Sequence, residues 1–325
     1  MVGRLILNWR DQGLKNLKVL QPFLRSRLLR VGLIAFVFWI LLLRMDRDSL
    51  FKILQSFDLR YGLALCVVFA LLLVLFAFRW WLIGQKLGVH GEFRRYFFGL
   101  WLSQAAGELG PPLVVGEWAR FHALRGLADD RRLGLSQLID RCVGTFVLWL
   151  MVLVATPYYQ TTFKAAMTHL QGQLAAGFLI LASLGVLIFF VSRLKHGVMD
   201  LKERVLDCLN PLKNPPIYLL SLLIQGLLVL NLVLAAAGLG LKVEGLLKVA
   251  WLGPLLLFAV SFFPGLVSDW GKREALAVFL LAPAGLSPEQ ALAVSLLYGG
   301  GHGLVAVPGI FCLRRSQGQE NRSAE

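Results

Sequence analysis

The chain has 325 residues, of which 57% are hydrophobic and 16% charged, with a formal net charge of +14. That balance excludes a water-soluble globular domain and fits a polytopic membrane protein. The basic residues fall in short clusters between apolar runs, with no basic face interleaved with aromatics. Nucleic acid is therefore not an expected partner, and the positive-inside rule with attraction to anionic lipid accounts for the charge.

Cys66, Cys142, Cys208 and Cys312 are scattered without a CxxC spacing, and His90, His122, His169, His196 and His302 show no HExxH. No metal, cofactor or disulfide framework is expected from such spacing. Residues 1–27 form a basic segment in which Arg4, Arg10, Lys15, Lys18, Arg25 and Arg27 face the single acid Asp11. They place the N-terminus in the cytoplasm, and no cleavable signal is expected.

The chain then reads as an all-α domain over residues 28–313, with roughly 6–8 transmembrane helices. A first span is expected at Leu28–Leu43. An interfacial helix follows from Asp48, its N-cap, to Leu59, with Phe51, Leu54 and Phe57 on one face. The second span, Tyr61–Phe78, ends on Arg79, Trp80 and Trp81, which read as an anchor at the membrane edge. Tyr96–Ala106 is apolar but too short to cross. Cys142–Thr156 is apolar again, with an external loop from Pro157 to Gln173. Leu174–Ser192 is a further span, and Arg193–Lys213 is a basic inner loop.

Ile217–Leu239 is a span whose Gln225 and Asn231 read as interhelical hydrogen bonders. Leu246–Phe263 contains Pro254, where a kink is expected. Ala275–Ala282 is too short to cross, whereas Glu289–Phe311 can. The tail, residues 314–325, is polar and expected to be disordered.

Two segments break this pattern. The first, Gly107–Arg141, carries Pro111, Pro112 and Gly116, and with them Glu108, Glu117, Arg120 and His122. Such backbone at membrane depth must be buried in protein or line a wet cavity, and ionisable groups there are usually kept for a job. Charge parity across the loops works if the stretch enters and leaves on one side as a re-entrant hairpin. A pair of short full crossings is the other topology. The second break carries Pro264, Gly265 and Gly271.

The breaks echo each other. Leu113-Val-Val-Gly-Glu-Trp-Ala-Arg120 lies against Leu266-Val-Ser-Asp-Trp-Gly-Lys-Arg273, and Gly-Leu-Ser follows at Gly134–Ser136 and Gly285–Ser287. The halves, about 28–173 and 174–313, are thus a candidate internal inverted repeat of the kind that builds a binding site at the bilayer midplane. Half-helix N-termini, Arg120, Lys272 and Arg273 would favour an anionic group, and Glu117, Asp269 and Glu274 would balance charge or take a proton.

At these motifs the chain resembles the flippase-like family grouped with the transmembrane part of lysylphosphatidylglycerol synthases. That family includes many small bacterial inner-membrane proteins. The resemblance rests on Pro112, Gly116, Glu117, Arg120, Asp140 and Arg141, then on Gly271, Arg273, Glu274, Gly285, Leu286, Ser287 and Ala291. Leu113, Val114 and Val115 stand where the family has more glycine, as do Ser268 and Asp269. The synthases' large soluble transfer domain has no counterpart after Phe311, so synthase activity is not expected.

The resemblance implies a lipid flippase-like transporter of the inner membrane. A phosphate-bearing head group would be bound by Glu117, Arg120, Asp140, Arg141, Asp269, Lys272, Arg273 and Glu274. Arginine suits that task because its guanidinium meets phosphate bidentately. The partners expected are membrane lipids with anionic head groups. The alternatives are a membrane-embedded transferase, or an accessory subunit beside a partner enzyme of lipid or lipid-linked glycan synthesis.

Overall fold

The computed structural model describes residues 46–109, 115–163, 199–262, 270–282 and 285–311. The expected spans at 28–43 and 174–192, the basic N-terminal segment and the tail lie outside the described residues. Among the described residues ten helices follow in order: α1 Arg47–Gln55, α2 Leu59–Lys86, α3 Phe93–Leu109, α4 Glu117–Ala123, α5 Asp130–Phe163, α6 Met199–Leu209, α7 Pro215–Gly238, α8 Val243–Phe262, α9 Lys272–Leu281 and α10 Pro288–Ala306, with a 3₁₀ turn over Val307–Phe311.

Local chemistry explains many of these boundaries. Asp46 caps α1 by accepting from Asp48 N at 3.1 Å, and Asp58 caps α2 by accepting from Arg60 N at 2.9 Å. Asn214 precedes α7, where Pro215 needs no amide partner in the first turn. Ser287 and Gln290 form a reciprocal capping box on α10, each side chain meeting the other's backbone N–H at 3.1 and 3.0 Å. Each such cap contributes about 1 kcal/mol.

Among the described residues, five helices are long and apolar enough to cross a membrane: α2, α5, α7, α8 and α10. At about 1.5 Å per residue they reach the ~30 Å of a hydrocarbon core or nearly so, and α2, with 28 residues, exceeds it. With 17 residues, α3 falls short of that thickness. The molecule is an all-α, multi-pass membrane protein.

α2 packs along α7, and α10 lies against both. α3 rests on α2, α4 and the 3₁₀ turn, whereas α8 packs against α5, α7 and α9. Trp80, Tyr96, Leu100, Leu124 and Leu133 form one buried cluster joining α2, α3 and α5. Gly84 is required there, because a Cβ would strike the Tyr96 ring. Ile83, Ile139, Val143, Cys208 and Ile217 form a second cluster that seats α6. Burial there pushes the Cys208 thiol up to about 11, so it stays protonated at neutral pH.

Several sequence expectations need correction. The N-cap of α1 is Asp46, with Asp48 in the first turn, because the Asp46 carboxylate reaches both Asp48 N and Ser49 Oγ. Its buried apolar residue is Leu50, whereas Phe51 is 62% exposed. Arg79 and Trp80 are not an edge anchor: α2 continues to Lys86 and both are buried. Arg79 can lie inside because Asp140 neutralises it at 2.8 Å. Pro157 does not open a loop, since α5 runs through it to Phe163.

The two breaks share a layout. In the first, α3, a break, α4, a turn at Gly126 with φ 86° and α5 succeed one another; in the second, α8, a break, α9, a turn at Gly285 with φ 96° and α10 do so. The Gly-Leu-Ser tripeptides are not equivalent, however. Gly134–Ser136 lies inside α5, whereas Gly285–Ser287 forms the turn and cap before α10. The glycine answering Gly285 is Gly126.

Candidate functional site

Asp140 organises the first cluster. It sits on the inner face of α5 and is 3% exposed. Its Oδ1 accepts from Arg79 Nε of α2 at 2.8 Å, and its Oδ2 from Arg120 Nη2 of α4 at 2.8 Å. Arg79 Nη1 also donates to Ser221 Oγ of α7 at 3.2 Å. One carboxylate therefore holds four helices together. Two charges next to one carboxylate make its removal costly, because the guanidiniums would be left buried and unbalanced.

The helical spacing accounts for the rest. Glu117 and Arg120 stand three apart on α4 and approach to 3.6 Å. Glu117 Oε1 accepts from Arg141 Nε at 2.8 Å and from Arg141 Nη2. Gln137, one turn before Arg141, donates to Glu117 Oε2 at 3.1 Å when its amide is turned to suit, and then accepts from Phe121 N at 2.8 Å. Arg120 stacks on Trp80, with its guanidinium carbon 4.2 Å from the ring centroid.

Trp80 is itself fixed by Nε1 donating to Ser136 Oγ at 3.2 Å. Gly144 leaves room for Arg79, whose Nη1 would lie 3.1 Å from an added Cβ. The cluster thus sets the three guanidiniums of Arg79, Arg120 and Arg141 against the two carboxylates of Glu117 and Asp140. Arg120 Nε is buried without a partner.

The second cluster is built over a shorter range. Glu274, fully buried, caps α9 by accepting from Gly271 N at 2.6 Å. Gly271 has φ 88°, a conformation that disfavours any residue with a Cβ. The other carboxylate oxygen of Glu274 accepts from Arg273 Nη2 at 2.8 Å and from Ser295 Oγ at 3.2 Å. Arg273 lies 5.0 Å from the Trp270 ring centroid and 5.5 Å from that of Tyr298. Gly299 is required beneath it, since a Cβ would overlap the guanidinium.

Of the residues picked from sequence, Glu117, Arg120, Asp140 and Arg141 come together, and Arg273 and Glu274 pair separately. Arg120 and Arg273 use different carboxylates. Lys272 is half-buried and engaged in contacts of its own. Gly116 starts α4 and passes close to α3, 3.1 Å separating its would-be Cβ from Ser103 O. Asp269, Pro111, Pro112, Pro264 and Gly265 lie outside the described residues. Among the described residues no three His, Cys, Asp or Glu gather as a metal site would need.

Sequence reading missed Arg79 and Ser295 as partners, and assigned no role to the glycine-flanked His302. The available signals were a charge within an apolar run and a histidine in the Gly299–Gly303 cluster.

The family model described as the lysylphosphatidylglycerol synthase TM region matches residues 27–309. The chain belongs to that family. The matched residues include both clusters and all five candidate spans except the last two residues of the fifth. No curated protein and no solved structure matches the chain. Membership of the lysylphosphatidylglycerol synthase TM region family agrees with the resemblance drawn from the Gly-Glu-x-x-Arg and Arg-Glu motifs.

Proposed function

We propose that the protein is a flippase-like transporter that binds a phosphate-bearing lipid head group beside the first break and carries it across the bilayer. The observation that supports this reading most is the surplus of guanidinium over carboxylate around Asp140, with Arg120 Nε buried and unpartnered. In a low dielectric such a surplus favours an anion, and guanidinium matches phosphate in geometry. Arg141, 44% exposed at its side chain, would meet the head group first, and Arg120 would follow as Glu117 is released.

On this reading α3 and α4 form a re-entrant hairpin, which suits the short reach of α3. The second cluster contributes Lys272, Arg273 and Glu274, and Asp269 joins them on the strength of the sequence motif alone. The protein sits in the bacterial inner membrane with its basic N-terminus in the cytoplasm, and needs no catalytic residue or cofactor.

The test is translocation of fluorescent anionic and zwitterionic lipids in proteoliposomes, comparing the wild type with Arg120→Ala and Arg273→Ala after confirming that each is folded. Head-group-selective movement that disappears in Arg120→Ala is expected. Equal movement in the wild type and Arg120→Ala would refute the site.

A further inference from the structure

Glu108, in the last turn of α3, turns away from its own break toward the second half of the chain. Its Oε2 accepts from Trp270 Nε1 at 2.8 Å, and its Oε1 lies 2.6 Å from His302 Nδ1. α3 leads into the first break, Trp270 closes the second, and His302 stands in the glycine cluster of α10. One carboxylate thereby ties both breaks to one transmembrane helix.

Among the described residues, the charges around the pair leave it short of a permanent cation. Arg273 acts on Glu108 electrostatically, but Glu274 already matches it at 2.8 Å. From α2 the neighbour of His302 is the Phe69 ring, with centroids 5.3 Å apart. On α4, Glu117 and Arg120 are engaged with Arg141 and Asp140. α7 brings uncharged Gln225 and Asn231 to its buried face, and the charges at the start of α1, Asp46, Arg47 and Asp48, are exposed, as is Lys52. On α9, Lys272 and Arg273 precede Glu274, and Lys272 has contacts of its own. His302 is therefore the neighbour whose protonation can balance Glu108.

We propose that Glu108 and His302 form a proton-binding pair whose occupancy governs how the two broken segments are held together. The proposal rests on the transport reading above and gives it a coupling ion. With a neutral imidazole the pair carries one negative charge in a site only 15% and 29% exposed at its two side chains. One proton from bulk water, shared between the imidazole and the carboxylate, makes it neutral and strengthens the bridge from α3 to α10. Release of the proton weakens that bridge and frees the end of α3 to move. Histidine is the side chain suited to make this exchange near neutral pH.

The test uses nitrogen-15 histidine spectra of the full chain in lipid nanodiscs, with His302→Gln identifying the His302 signals. The His302 signals are expected to change with pH, and Glu108→Gln to move the midpoint of that change to lower pH, because the anionic partner is gone. Glu108→Asp, which retracts the carboxylate by one methylene, serves where Glu108→Gln yields no folded protein and should lower the midpoint as well. An unchanged midpoint in these variants, or an imidazole that holds one state throughout, overturns the pair. Translocation whose pH dependence survives intact in His302→Gln overturns the coupling. A titrating His302 in a protein that moves no lipid would support the pair and refute the transport reading alone.

Discussion

Arg120 and Arg273 hold corresponding places in the two broken segments, each buried, each stacked on aromatic rings and each bonded to a carboxylate. Their partners differ in reach. Arg273 pairs with its own neighbour Glu274, and the bond is completed by Ser295 of the following helix. Arg120 pairs with Asp140, twenty residues on, which also holds Arg79 from sixty-one residues back. The second segment is thus neutralised locally and behaves as a fastening. The first is assembled from distant helices and retains excess positive charge, so it is the better place for an anion.

The largest effect should come from removing the shared carboxylate. Asp140→Asn leaves Arg79 and Arg120 buried against each other, and a loss of about 3–5 kcal/mol is expected. Glu274→Gln strips one arginine of its charge partner but keeps an oxygen for Gly271 N, so about 1–3 kcal/mol is expected. Thermal unfolding in detergent, read on both variants, checks the order. Equal losses would mean that the two clusters are alike and that the surplus charge has no special standing.

Packing sharpens the same contrast. An alanine at Gly299 would overlap the Arg273 guanidinium, whereas at Gly144 the nearest atom is Arg79 Nη1 at 3.1 Å. Gly299→Ala should therefore cost about 1–3 kcal/mol, and Gly144→Ala less, because a guanidinium end can give by a few tenths of an ångström. At Gly299 the overlap reaches the guanidinium carbon as well as its nitrogens. Unfolding midpoints of the two single variants, measured together, decide this.

How much of this was legible before any coordinates depended on the range of each interaction. The helical class was legible because long apolar runs act locally. Glu117, Arg120, Asp140 and Arg141 could be picked because ionisable groups stand out where the rest of the chain is apolar. Arg79 was misread, since an arginine followed by two tryptophans looks the same at a membrane edge as beside a buried carboxylate. Only Asp140, on another helix, distinguishes the cases. Pro157 was misread as a loop start, because a proline inside a long helix is tolerated when the packing of that helix carries it. The Gly-Leu-Ser tripeptides matched in letters but not in place, as cap geometry rather than composition decides which glycine takes a positive φ.

The smallest expected effect on the fold is the most telling for function. Arg141 has a side chain 44% exposed, and its ion pair with Glu117 is the outermost of the first cluster. Exposed pairs contribute about 0–1 kcal/mol, so Arg141→Gln should unfold within about 1 kcal/mol of the wild type. If the first cluster only fastens helices, that variant should also move lipid as the wild type does. If the excess guanidinium receives a phosphate, translocation of anionic lipids should fall several-fold while that of zwitterionic lipids changes less. A variant that is stable and still slow would separate the role of this charge in binding from its role in packing, a separation that no substitution of Asp140 or Glu274 can make.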